Sequence, residues 1–117
     1  MAGWFELSKS TDDQFRFVLK AGNAETILSS ELYVGKGSAE RGIASVQTNC
    51  SEDSRYERKT SSDGRAFFTL KAANHQVIGT SQMYSSESSR EVGISSVKEN
   101  GTTKTVKDNT GTLAATS

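Results

Sequence analysis

Leu19-Lys20-Ala21-Gly22-Asn23 returns about 51 residues later as Leu70-Lys71-Ala72-Ala73-Asn74, and this repetition decides how the chain is read. Carried outward without a gap, the same offset pairs Phe5 with Tyr56, Glu6 with Glu57, Phe17 with Phe68, Ile27 with Ile78 and Tyr33 with Tyr84. Further on it pairs Gly42 with Gly93, Ile43 with Ile94, Val46 with Val97 and Asn49 with Asn100. Roughly two positions in five are identical between Trp4 and Asn49 and their partners, which marks an internal duplication.

Each copy of about fifty residues is marginal alone, so the two are expected to share one core. Of the 117 residues, 33% are hydrophobic, and the mean hydropathy of −0.56 is lean for a folded chain. The apolar residues nonetheless fall in periodic blocks, unlike a disordered composition. Lys plus Arg equals Asp plus Glu at 14 each, so no long-range field recruits nucleic acid, an acidic membrane or an anionic substrate. Any such partner has to be read by a local patch. The lone cysteine, Cys50, allows no internal disulfide and forms no metal-ligand cluster with the lone His75, so neither a metal nor a cofactor is expected. A reducing cytoplasm fits this composition. The start Met1-Ala2-Gly3-Trp4-Phe5-Glu6 lacks the pattern of a secretory leader, and no stretch approaches membrane-spanning length. The sequons Asn49-Cys50-Ser51 and Asn100-Gly101-Thr102 read as helix ends rather than glycosylation sites.

Trp4 to Leu7 alternates as a short half-buried strand, and Ser8 to Asp13 reads as a polar loop. From Phe15 to Ala21 the alternation turns Phe15, Phe17, Leu19 and Ala21 inward and Arg16, Val18 and Lys20 outward, as in a central strand. Gly22-Asn23-Ala24 is a tight turn with Asn23 at the expected positive φ, and Glu25 to Ser29 returns as a third strand. After Tyr33 the period changes from two to 3.6: Ala39, Gly42, Ile43 and Val46 predict a helix over Lys36 to Asn49. Asn49 and Asn100-Gly101 suit a left-handed stop. Gly42 and Gly93 each cost about 1 kcal/mol of helix propensity relative to alanine, which close approach of helix to sheet would offset. Cys50 to Ser54 links the copies. The second copy repeats the order with strands over 55–58, 66–72 and 77–80 and a helix to Asn100, capped by Ser88 with Glu91 or by Ser86. Thr105-Val106-Lys107 is a closing strand where a third copy would begin. The expected organisation is one globular domain over 1–110, made of repeats at about 3–50 and 54–101 and a closing strand at about 103–108, followed by a disordered tail over 109–117.

Phe5-Glu6-Leu7, Phe17-Val18-Leu19-Lys20-Ala21, Tyr33 and Gly42-Ile43-Ala44-Ser45-Val46 resemble the YegP-like family of small bacterial proteins. In the second copy Phe68-Thr69-Leu70-Lys71-Ala72-Ala73-Asn74, Tyr84 and Gly93-Ile94-Ser95-Ser96-Val97 carry the same resemblance, which covers Gly3 to about Thr110. It implies an α+β, two-layer fold: tandem β-β-β-α-β repeats in a single sheet, both helices on one face and the C-terminal strands exchanged. It implies no established activity and supplies no catalytic or binding residues. The family usually has Asn-Gly in the turn where this chain has Asn23-Ala24 and Asn74-His75.

His75 sits at a predicted turn tip with no acid or nucleophile tied to it, and Cys50 corresponds to Gly101, so the duplication keeps no thiol. No catalytic residues are assigned. Tyr33 and Tyr84, ahead of the helices, are expected to cover the core edge, and Glu6 and Glu57 to pair with Lys20 and Lys71 across strands. The sheet face away from the helices is the candidate working surface. Trp4, Arg16, Val18, Lys20, Thr26 and Leu28 point there from the first copy, and Arg55, Phe67, Thr69, Lys71 and Val77 from the second. Its candidate binding residues are Trp4, Arg16, Lys20, Phe67 and Lys71. A non-catalytic protein-interaction module is expected, a monomer that mimics a dimer; the alternative is single-stranded nucleic-acid binding by the same face.

Overall fold

Each repeat folds as three strands and a helix because its apolar period changes from two to 3.6 beyond the tyrosine. The computed structural model describes residues 3–10 and 12–110. They form β1 (Trp4–Lys9), β2 (Phe15–Lys20), β3 (Thr26–Ser30), α1 (Lys36–Asn49), a 3-10 turn (Asp53–Arg55), β4 (Tyr56–Thr60), β5 (Ala66–Lys71), β6 (Val77–Thr80), α2 (Glu87–Asn100) and β7 (Val106–Asp108). The seven strands make one sheet in the order β4-β5-β6-β3-β2-β1-β7, antiparallel except where β7 runs parallel to β1. Helix α1 packs on β2, β5 and β6, and α2 on β5, β3 and β2, so both lie on one face and each crosses into the other repeat. The terminal strands are exchanged: β4, which follows α1, pairs with β5, and β7, which follows α2, pairs with β1. The two-layer α+β architecture is the one expected.

The repeats join where β3 meets β6, with Ser29 opposite its own counterpart Thr80. A pseudo-twofold axis therefore passes through that pair, and residues near it meet their own repeat equivalents. Leu28, 1% exposed, lies over Gly79, whose β-carbon, if present, would come 2.8 Å from Leu28 Cγ. Cys50, fully buried, lies over Gly101, where a β-carbon would come 2.8 Å from its sulfur. Each pair has room for one side chain, because a packed interior cannot admit a second without strain of about 1–3 kcal/mol. Here the duplication had to diverge.

Phe5, Leu7, Phe17, Leu19, Phe68 and Leu70 form the sheet side of the core, and Ile43, Val46, Ile94 and Val97 the helix side. The helix glycines make room for a tyrosine rather than for the sheet backbone. A β-carbon at Gly42 would meet the Tyr33 hydroxyl and, at 2.8 Å, Phe17 Cε2; one at Gly93 would meet the Tyr84 ring and hydroxyl. The tyrosines stack on Phe17 and Phe68 with ring centroids 6.2 and 6.4 Å apart. Ser30 and Ser81 hold the sheet together where β3 and β6 end: their hydroxyls accept from the Phe17 and Phe68 amides and donate to the next carbonyl.

Several local expectations are corrected. Leu28 points into the core, because a bulge between Leu19 and Lys20 leaves Leu28 opposite Leu19 and Thr26 opposite Lys20, with Ile27 as the extra residue. Inserting one residue reverses the facing of those beyond it. The positive φ falls on Ala24 and His75, at +70° each, not on Asn23. The loop is three residues long, closed by Ala24 N–H to the Ala21 carbonyl and Ala21 N–H to the Glu25 carbonyl, so its last residue is the left-handed one. Asn49 and Asn100 make no left-handed stop: the residues after them, Cys50 and Gly101, stay right-handed. Instead the buried Asn side chains bond back to the Ser45 and Ser96 carbonyls. Asn49 also accepts from Arg55 Nε, and Asn100 from the Gly3 amide. Strand β1 runs on to Lys9, and Ser86 is the cap of α2, accepting from Ser89 N–H. Of the expected disordered tail, Asn109 is tied to the Leu7 carbonyl at 2.8 Å, while 111–117 lie outside the described residues.

The two ends of the sheet are finished differently. At the β1 end the added strand β7 covers the edge, and Leu7 and Ala39 there are apolar and buried. At the β4 end no described strand is added, and the equivalents of Leu7 and Ala39 are Arg58 and Arg90. Arg58 makes a two-pronged bond to Glu91 at 2.8 and 2.9 Å, Asp53 bridges Arg58 and Lys98, and Arg90 reaches the Lys59 carbonyl. Charged side chains on an open edge also discourage pairing with other chains.

Two outcomes follow in stability measurements. Made singly, Leu28→Gly should lower the unfolding free energy by about 2–5 kcal/mol through the cavity and Gly79→Leu by about 1–3 kcal/mol through overpacking, while the double swap restores most of the loss. Urea denaturation of the four proteins checks this. Ala24→Gly and His75→Gly should each stabilise by about 0.5–1 kcal/mol, relief of the left-handed penalty less the entropy cost of glycine.

Candidate functional site

With both helices on one face, the other face of the sheet carries no second layer among the described residues. Its central row follows the strand register from end to end: Glu57, Thr69, Thr80, Ser29, Val18, Glu6 and Lys107 stand side by side across all seven strands. Trp4 and Lys20 face each other on one side of that row. Because β5 runs antiparallel to β2 through the β3–β6 junction, Phe67 lies on that same side, while Arg16 and Lys71 lie on the other. Trp4 on β1 and Phe67 on β5 are four strand spacings apart, about 19 Å. The five predicted residues thus share a face without forming one cluster.

Around Trp4 the environment is built tightly. Its indole N–H donates to Glu6 Oε2 at 2.7 Å, and Lys107 Nζ stands 4.3 Å above the ring centroid, a cation–π contact contributed by the exchanged strand β7. The expected Glu6–Lys20 pair is not formed, because Trp4 has taken the carboxylate. Its counterpart is formed: Lys71 Nζ lies 3.0 Å from Glu57 Oε1, and Lys59 Nζ 3.4 Å. Hydrogen bonding from Lys71 holds the Glu57 carboxyl below its ordinary range. Among the described residues Arg16 and Lys20 have no carboxylate within 4.0 Å.

The face therefore presents Arg16, Lys20, Lys59, Lys71 and Lys107 against Glu6 and Glu57, a local positive excess in a chain of balanced charge. Lys59 and Lys107 were missed by sequence reasoning, which ends the fourth strand at Arg58; the strand register sets Lys59 opposite Phe67 on β4 and β5. Thr69, only 5% exposed, has a hydroxyl with no hydrogen-bond partner, whereas its counterpart Val18 needs none.

Elsewhere the titratable groups are set apart. Cys50 is buried and its thiol is pushed up by that burial; His75 is exposed on its turn. Among the described residues no group of three His, Cys, Asp or Glu converges as metal ligands, and no helix is long and apolar enough to cross a membrane.

The chain matches the family described as a domain of unknown function, DUF1508, twice in tandem, over residues 10–57 and 61–108. Each match runs from before one central strand to the strand after the next helix, so the family's unit ends on the exchanged strand. The chain belongs to this family, the YegP-like proteins. It is 70% identical over 110 residues to the UPF0339 protein YegP of Escherichia coli (strain K12), covering 94% of this chain and 100% of that one. It is 66% identical over 111 residues to the UPF0339 protein ACIAD0721 of Acinetobacter baylyi, covering 95% and 100%. The solution NMR structure of E. coli yegP, described as a protein of unknown function, superposes with a TM-score of 0.90 at 70% identity, covering 95% of this chain and 96% of that chain. That of UPF0339 protein SO3888 from Shewanella oneidensis gives 0.89 at 61% identity, covering 94% and 93%.

Two changes on this face have defined outcomes. Thr69→Val should raise stability by about 1 kcal/mol, since it removes an unpartnered buried hydroxyl and reproduces Val18; thermal denaturation reads it. Lys71→Met should raise the Glu57 carboxyl toward the ordinary glutamate range, near 4.3. The sign follows from its cause: Glu57 is held low in the folded state, so its stabilisation is present above the unfolded-state range and lost as pH falls. A carboxyl-carbon NMR titration with an unmoved midpoint would contradict the pairing.

Proposed function

We propose that this chain is a non-catalytic, monomeric binding module of the cytoplasm that docks an extended acidic segment of another protein across its outer sheet face. The observation that carries the reading is the local excess of cations around Trp4 and Phe67, with Arg16 and Lys20 unpaired, against a whole-chain balance of 14 to 14. Half-exposed aromatics and arginine are the residue types that anchor protein interfaces. The span from Trp4 to Phe67, about 19 Å, is that of six extended residues. Duplication supplies within one chain the second half of the core, which supports a monomer. A buried Cys50 and an exposed turn residue, His75, support the absence of nucleophile–base chemistry.

A second reading, single-stranded nucleic acid on the same face, draws on the same cations and on Trp4 as a stacking platform. Salt weakens both, because both partners are anionic, so nuclease rather than salt separates the two. Phosphate contacts make the fall steeper, while the aromatic anchors keep part of the protein partner's affinity. In capture from lysate with and without nuclease, a protein partner should survive nuclease and be lost by the Trp4→Ala, Phe67→Ala double mutant. Retention of every partner by that mutant would remove the face from consideration. The free protein should sediment as a single 12.6 kDa chain.

A further inference from the structure

The helical side holds a feature that the outer-face reading does not use. Where α1 passes the β5–β6 hairpin a cleft of about 470 Å³ opens, and the duplication builds its counterpart, about 560 Å³, between α2 and the β2–β3 hairpin. Both fall in the size range of small-molecule sites, and each is walled by both repeats. Their floors are equivalent: Tyr33 over Gly42 with Ser45 and Ile78 in the first, Tyr84 over Gly93 with Ser96 and Ile27 in the second.

Their charges are not equivalent. The first cleft carries Arg41 where the second carries Val92. The second carries Glu25 and Glu99 where the repeat places Gln76 and Thr48 in the first. Arg41 Nη2 donates to Ser38 Oγ at 3.1 Å, and both residues line the cleft. Among the described residues no carboxylate pairs with Arg41; Glu31 also lines the cleft, close enough to Tyr33 for its charge to act on the phenol. The Tyr33 hydroxyl forms no hydrogen bond among the described residues. Burial, and then the charge of Glu31, push its ionisation up, so it is a neutral donor at ordinary pH.

We propose that the Tyr33 cleft binds a small organic carboxylate, with its apolar body against Leu32, Val77 and Ile78 and its carboxylate on the Arg41 guanidinium and the Tyr33 hydroxyl. A guanidinium and a hydroxyl donor lining one cleft can both donate to a carboxylate's oxygens, and an apolar wall holds the remainder of the ligand. The second cleft has an equivalent floor with two carboxylates and no cation lining it, so it rejects the same ligand by charge. Duplication followed by divergence would thus have turned one crevice into two sites of opposite preference.

Benzoate titrated into isotope-labelled full-length protein tests this by amide NMR. Saturable shifts are expected at Gly42, Arg41 and Val77, with Gly93 and Ala21 unmoved. Arg41→Gln should weaken binding at least tenfold, the loss of charge-assisted hydrogen bonding, and Tyr33→Phe by a smaller factor. Arg41 is exposed, so the variant should keep its melting temperature, and Val92→Arg with Glu99→Gln should create a benzoate response at Gly93. Absence of saturable shifts, equal shifts at both clefts, or undiminished affinity in Arg41→Gln would overturn the proposal. Loss of outer-face docking in the Trp4→Ala, Phe67→Ala protein leaves these outcomes unaffected, so the two readings fail separately.

Discussion

Ser29 facing Thr80 across the β3–β6 junction is the contact on which the rest of the molecule turns. It joins two three-stranded units into one sheet, and it fixes the axis about which two helices share one core. A twofold axis makes equivalent residues meet, and a close-packed interior cannot place two identical bulky groups in one space. The chain resolves this by alternating large and absent side chains, Leu28 over Gly79 and Cys50 over Gly101. A homodimer of single units would have to place the same residue on both sides of such an axis. The tandem chain is free of that constraint, and its core uses the freedom.

The same asymmetry runs outward to the sheet ends. Strands β1, β4 and β7 occupy corresponding places in the repeat, yet only two positions exist beside a central strand. Strand β1 takes the one beside β2 by burying Phe5 and Leu7, and β4 takes the one beside β5 by burying Tyr56. Strand β7, with Lys107 where β1 has Phe5, is placed outside β1 and parallel to it. There it contributes the cation above Trp4 and the Lys36–Asp108 ion pair at 2.6 Å. Lacking such a cover, the other edge is closed by Arg58, Arg90, Glu91, Asp53 and Lys98.

Much of this was legible in the sequence, for physical reasons. The change of period after Tyr33 located α1 at Lys36–Asn49, and the gapless offset carried the same boundaries to the second copy. What escaped was what depends on three dimensions. The bulge at Ile27 puts two consecutive apolar residues on the core side, which strict alternation cannot express, and so Leu28 was assigned to the wrong face. The left-handed residue moved from Asn23 to Ala24 because loop length, not residue preference, decides its place. On the outer face the balanced total charge hid a local excess, since the compensating acids Glu40, Glu87 and Glu99 lie on the helices. The separation of Trp4 from Phe67 could follow only from the strand order.

The central claim, that two repeats hold one core between them, is tested most directly by native-state hydrogen exchange along a urea series. Amides of Phe17 and Leu19 in β2 and of Phe68 and Leu70 in β5 should share one opening free energy and one urea dependence, equal to those of global unfolding, because neither repeat has a core of its own. If β5 opens with a distinctly lower free energy and a smaller urea dependence while β2 stays protected, the repeats are separate folding units and the account is wrong.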